Sequence, residues 1–304
     1  MSLQLACGFE ELKSLLLSAC NLRELALCFQ LKRLDFEFVH HWLDISNILC
    51  GHPALTDLHV DVRELSVDEM RFVIQLLPEK ITSARCDWAM ELPAVLLDRK
   101  TLLRKVEVHT FGRSGALLTD CFRLKAEELE FTIGFVLEIG DFAECGSLEP
   151  NGHLRKITLT IPNRETFRPL AHYKRDFAAS TTAAFARFRS LNDRLRVRVR
   201  LCRGFYKIPR ETLVDRVEEK LDAVRILVDC ARQAGFVVDE AGDPLSVECH
   251  FDFASKLLRT FKRSSLYKQL LIGSKPIDND EGARAFCFDY RDARIALQIT
   301  TTSV

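Results

Sequence analysis

A short phrase recurs along the first half of the chain: an apolar residue, two residues of any kind, then apolar residues at alternating positions. It reads Leu31-x-x-Leu34-x-Phe36-x-Phe38, Leu55-x-x-Leu58-x-Val60-x-Val62, Ile81-x-x-Ala84-x-Cys86-x-Trp88, Leu103-x-x-Val106-x-Val108, Ala126-x-x-Leu129-x-Phe131-x-Ile133 and Leu154-x-x-Ile157-x-Leu159-x-Ile161. Strict alternation over so few residues predicts a strand with one buried face. Leu22-x-x-Leu25-x-Leu27 is a shorter version, either a strand of its own or the run-in to the strand at 31. Between the phrases lie helix-like segments at 42–52, 67–78, 90–98 and 114–122. Asp68 can cap the second and Pro78 ends it. A unit of one strand and one helix cannot bury its own apolar strand face, so units must stack and share a core. Successive strands are then parallel neighbours.

After Ile161 the units lengthen. Residues 166–191 read as a helix, 194–202 as a strand, 210–234 as a helix, 245–253 as a strand, 253–271 as a helix and 293–301 as a last strand. In 210–234 the apolar positions Leu213, Val217, Leu221, Val224, Val228 and Ala231 fall at helical spacing between Pro209 and Gly235. The chain thus divides into a repeat stack over 1–162 and an α/β extension or cap over 163–304.

Residues 8–161 resemble a divergent leucine-rich-repeat solenoid of the kind found in F-box proteins with irregular repeats, and FEELKSLLLSACNLRELALCFQLKRLDFEF resembles their opening repeats. The asparagine or cysteine that the family places eight residues after the first leucine is replaced here by Gln30, Val39, Arg63, Ala89, Phe111 and Pro162. No F-box is visible ahead of the repeats. The resemblance implies an α/β solenoid with parallel strands, a protein partner on the concave strand face, and substrate recognition for ubiquitin ligation.

The 304 residues are 47% apolar and 28% charged, with 43 Lys+Arg against 43 Asp+Glu. That balance excludes a uniformly basic nucleic-acid binder and a disordered chain. The eleven cysteines include no C-x-x-C pair, which removes local zinc and dithiol motifs and fits a reducing compartment. No basic leader opens the sequence and no 18-residue apolar run occurs, so the expectation is a cytoplasmic or nuclear protein with no membrane partner.

Motifs that carry chemistry are incomplete. The GSK at 273–275 lacks a phosphate loop's first glycine, and Phe111–Gly115 is one residue short of a nucleophile elbow. His40, His41, Cys50, His52 and His59 have no metal-ligand spacing, and the Asp278–Asp289 segment lacks the glycine and glutamate of a calcium loop. The reading is a non-enzymatic protein with no catalytic residues, no metal and no cofactor.

The residues between the alternating apolar positions point away from the core. They are Asp35 and Glu37, His59 and Asp61, Arg85 and Asp87, Glu107 and His109, then Glu130 with Thr132, and Thr158 with Thr160. The first five rungs, Asp35 to Glu130, are the candidate protein-binding surface. Charge also divides by half. Residues 1–150 hold 15 Lys+Arg against 24 Asp+Glu, a net −9, and residues 151–304 hold 28 against 19, a net +9. The densest basic element is Arg194, Arg196, Arg198, Arg200 and Arg203, followed by Phe205, Tyr206 and Lys207. It is the alternative site, for nucleic acid or another acidic ligand. An enzyme in the C-terminal region ranks last. The two charged halves are expected to attract each other.

Overall fold

The fold is taken from a computed structural model. It describes residues 9–19, 24–28, 36–52, 55, 57–61, 67–76, 83–86, 96–97, 102–109, 115–134, 136–146, 148–162, 174–205, 208–236, 245–272, 275–277, 284–290 and 293–302.

Eleven strands make one mixed, open sheet. They are β1 (Glu24–Cys28), β2 (Asp57–Asp61), β3 (Ser83–Cys86), β4 (Leu103–His109), β5 (Ala126–Thr132), β6 (Lys156–Ile161), β7 (Arg196–Phe205), β8 (Leu245–Ala254), β9 (Lys275–Ile277), β10 (Arg284–Tyr290) and β11 (Ala293–Thr302). β1 to β8 lie side by side in chain order, each parallel to the next. β11 is parallel to β8, and β10 and β9 follow it antiparallel. Because β6 pairs with β7, the sheet runs unbroken from the short units into the longer ones.

The expected parallel order holds, with one correction. The end of the phrase at 31–38 is helical and not a strand: Phe36, Glu37 and Phe38 belong to helix α2 (Phe36–Gly51), and 31–35 lie outside the described residues. The strand of that unit is β1, the shorter phrase at Leu22–Leu27. Its Leu25 and Leu27 are buried, and Trp42, Ile45 and Leu49 then recur at helical spacing and are buried too. A short Phe36-x-Phe38 alternation cannot outweigh that longer helical period.

The remaining helices are α1 (Phe9–Ser18), α3 (Val67–Leu76), α4 (Gly115–Arg123), a 3-10 helix (Val136–Glu144), α5 (Lys174–Leu191), α6 (Leu213–Gln233), α7 (Ser255–Lys262) and α8 (Ser265–Ile272). Of the helix expected at 90–98, Leu96 and Leu97 are described, both helical. The helix expected over 253–271 is broken at Arg263 and Ser264, whose hydroxyl caps α8 by accepting the Tyr267 N–H at 3.2 Å. The strands β9 and β10 have no counterpart in the sequence reading.

One face of the sheet is the core. Val106, Val108, Leu129, Phe131, Ile157, Leu159, Val197, Val199, Val247 and Cys249 alternate onto it and are fully buried. Phe131 meets Phe122 of α4 and Phe142 of the 3-10 helix there, and both meet Phe188 of α5, with ring centroids 5.0–6.0 Å apart. The helices therefore cover this face. Gly140 permits the close approach of the 3-10 helix to α5, because a Cβ there would sit 2.5 Å from the Ser180 hydroxyl.

A turn repeats where units join. The Leu124, Leu154 and Leu195 N–H groups donate to the carbonyls of Cys121, Asn151 and Asn192, three residues back in each case. Asn151 Nδ2 donates to the Phe122 and Leu124 carbonyls of the preceding unit, and Asn192 Nδ2 donates to the Leu154 carbonyl of its own preceding unit. His52, three residues before Leu55, makes the same kind of reach with Nε2 3.1 Å from the Ala19 carbonyl.

Candidate functional site

The opposite face of the sheet carries the polar members of each alternation. Parallel pairing aligns them into rungs that cross the strands. One rung runs His59, Ser83, Lys105, Glu128, Lys156, Arg196. The next runs Asp61, Arg85, Glu107, Glu130, Thr158, Arg198, Ser246. A third runs His109, Thr132, Thr160, Arg200, Glu248.

So nine of the expected residues, His59, Asp61, Arg85, Glu107, His109, Glu130, Arg196, Arg198 and Arg200, lie on these three rungs. Arg203 lies further along β7, in register with Phe251, and Arg194 is exposed in the turn before β7. Glu37 is corrected: it lies in α2 and on no strand, for the reason that removed the strand at 31–38. Asp35 and Asp87 lie outside the described residues.

The acidic rungs and the arginine strand turn out to be one network. Lys105 Nζ is 2.6 Å from Glu107 Oε1 and 2.6 Å from Glu130 Oε2. The Thr160 hydroxyl donates to Glu130 Oε1 at 2.8 Å, and Arg200 Nη1 stands 3.7 Å from the same oxygen. Arg200 Nε is 3.4 Å from Glu248 Oε2, and Arg198 Nε donates to Glu248 Oε1 at 2.8 Å, with its Nη2 on the same oxygen. His250 Nε2 lies 3.9 Å from Glu248 Oε2. Beside this chain, Glu128 Oε1 accepts from Lys156 Nζ at 2.7 Å and from the Thr158 hydroxyl at 3.0 Å. Two of these pairs, Lys156 with Glu128 and Arg200 with Glu130, join the acidic half to the basic half, strand to strand within the sheet.

The paired Lys, Arg and Glu side chains are 12–33% exposed, so their charges interact in a medium less screening than water. His250 beside it, then Arg198 and Arg200, hold the Glu248 carboxyl at about 2 against the opposing effect of burial. Burial would raise Glu130, but the Lys105 hydrogen bond and charge, Thr160 and Arg200 outweigh it and keep its pKa below the usual carboxylate value. Burial would lower Lys105, but Glu107 and Glu130 outweigh it and raise its pKa. Near neutral pH Glu130 and Glu248 therefore stay ionised and Lys105 stays protonated. The arrangement fixes a patterned, charged surface.

Lys105, Glu128 and Lys156 were not singled out in the sequence, whereas Glu248 stands out there only as a neighbour of the outward-facing His250. All four sit at the outward parity of their strands, so the signal was present. What was missing was register, which joins Arg198 to a carboxylate fifty residues later.

Other chemistry is weakly provided for. Burial pushes the Cys145 thiol up to about 11 and Cys249 up to about 12, and it raises Cys202 and Cys230 as well. Such thiols are poor nucleophiles. Among the described residues no three metal-capable side chains cluster, and no helix is long and apolar enough to cross a membrane. No protein-family model matches the chain, and a search of curated proteins finds no match.

Proposed function

We propose that the chain is a non-enzymatic interaction protein: an irregular, leucine-rich-repeat-like solenoid that binds a protein partner across the open face of its sheet. The substrate-recognition role in ubiquitin ligation implied by the F-box resemblance belongs to the same proposal. The observation that carries it is the one-sided cover. Helices bury one face, while the other presents half-buried polar side chains from five adjacent strands, pinned by mutual ion pairs. A surface fixed before binding loses little side-chain freedom on contact. Two features support the repeat reading. Units follow one another as parallel neighbours in chain order, and the joining turn recurs with Asn151 and Asn192 reaching back to the unit before.

The alternative, an acidic ligand on the arginine strand, draws less support. Arg198 and Arg200 already face Glu130 and Glu248, so part of their field is spent inside the sheet.

Site-resolved photo-crosslinking tests the proposal. A crosslinker at Thr132 on the open face should capture a discrete protein, and one at exposed Glu218 on α6 should not. Capture from α6 alone would overturn the reading. Absence of any ligase adaptor among proteins captured with the full chain would remove the ubiquitin-ligase part.

A further inference from the structure

A second cluster of charge lies away from the sheet face, on a C-terminal helix pair. The segment 255–272, SKLLRTFKRSSLYKQLLI, contains Lys256, Arg259, Lys262, Arg263 and Lys268 and no Asp or Glu. The structure folds it as α7 and α8, a pair fastened from below. Leu257, Leu258, Phe261, Leu266 and Tyr267 are buried, and Phe261 stacks on Phe253 of β8 at 5.1 Å while meeting Tyr267 at 5.4 Å. With the apolar side so fixed, all five cations are exposed. Among the described residues, none of the five side chains makes a hydrogen bond or ion pair. Leu271, three residues after Lys268 and so beside it on the helix surface, is 40% exposed.

We infer that the α7–α8 face is a docking surface for the anionic headgroups of a lipid bilayer. Charge complementarity gives the class of partner: five exposed cations, unpaired among the described residues, on an amphipathic helix pair attract an acidic membrane surface. Two details favour a bilayer over a nucleic acid. The ring side chains that could stack on bases, Phe261 and Tyr267, are 0% and 5% exposed, so the pair has nothing to offer a base. Leu271 would be idle against a polyanion, whereas at a bilayer it enters the interface beside the headgroups. Such binding is peripheral and asks for no spanning helix. It is independent of the sheet-face proposal, since no residue is shared.

The test is co-sedimentation of the full chain with phosphatidylcholine vesicles, with and without phosphatidylserine. Binding should require phosphatidylserine and fade as salt rises. The triple variant K256E/R259E/K262E should bind at least a hundredfold more weakly, roughly a factor of five for each cation lost. Its melting temperature should match wild type, because the changed side chains are exposed. Leu271→Ser should weaken vesicle binding while leaving its salt dependence intact. Equal binding of the triple variant, or no binding to phosphatidylserine vesicles at low salt, overturns the inference. Preference for duplex DNA over the vesicles at matched salt, abolished in the triple variant, also overturns it and assigns the face to nucleic acid.

Discussion

Asn151 and Asn192 are tied to each other's units in both directions. The Asn151 N–H donates to the carbonyl of Leu191, the residue before Asn192, at 2.8 Å, and the Asn192 amide returns a bond to the Leu154 carbonyl at 2.9 Å. Each side chain stitches its unit to the one before, and the Asn151 backbone also bonds to the next. The leucine-rich-repeat resemblance places a ladder of this kind after the strand. Here the reaching side chains stand before it.

Loss of that stitch should be costly and local. Asn151→Ala removes donors from two carbonyls and the acceptor that the His153 and Leu154 N–H groups use. It should destabilise by about 2–3 kcal/mol in urea unfolding, and Asn192→Ala by about 1–2 kcal/mol. Values below about 0.5 kcal/mol for both would show that the turns hold without them.

Acid should loosen the charged face in a defined window. Glu248 titrates at about 2 in the fold against an ordinary value of 4.5, so its carboxylate contributes stability that is fully present above 4.5. That contribution, roughly 3 kcal/mol before screening, is lost as pH falls toward 2. Glu248→Gln should flatten the acid limb of a stability-versus-pH curve, and an unchanged limb would refute the pairing.

Asp141 has the opposite sign. Burial first, then Glu138 and Glu144, raise its carboxyl to about 6 from 3.8. The stability it contributes is present below 3.8 and lost as pH rises through 6. Asp141→Asn should therefore raise the melting temperature at pH 7.5 and leave it unchanged at pH 3.5. A gain of equal size at both would point to packing and not to charge.

Arg198 and Glu248 should couple. A double-mutant cycle with alanine at both positions should give about 1 kcal/mol or more of interaction energy, falling as salt is added. The same cycle for Arg196 and Glu248, which do not touch, should give about zero.

The strands β2 to β6 and the helix 213–233 were legible because each carries its own local period. Leu58, Leu129 and Leu159 alternate inward, and Leu213 to Ala231 recur every three or four residues. The first unit was misplaced because two phrases, beginning at Leu22 and Leu31, compete for one unit, and the downstream helical run of Trp42, Ile45 and Leu49 had to be weighed against both. The break at Ser264 turns on one hydroxyl cap inside a continuous apolar pattern. The polar face was half legible. Parity located Glu107, Glu130, Arg198 and Arg200, but only strand register shows that they neutralise one another.

The placement of β11 between β8 and β10 bears on how the chain is made. As β2 to β8 leave the ribosome, each finds its neighbour already synthesised, and the sheet can grow one unit at a time. β8 breaks that sequence. The far edge of residues 245–254 stays open until residues 293–302 have been translated, a delay of several seconds at roughly 5–20 residues per second. During that interval an alternating strand of Leu245, Val247, Cys249, Phe251 and Phe253 offers its backbone to any passing strand. Nascent-chain chaperones would be needed most at this step.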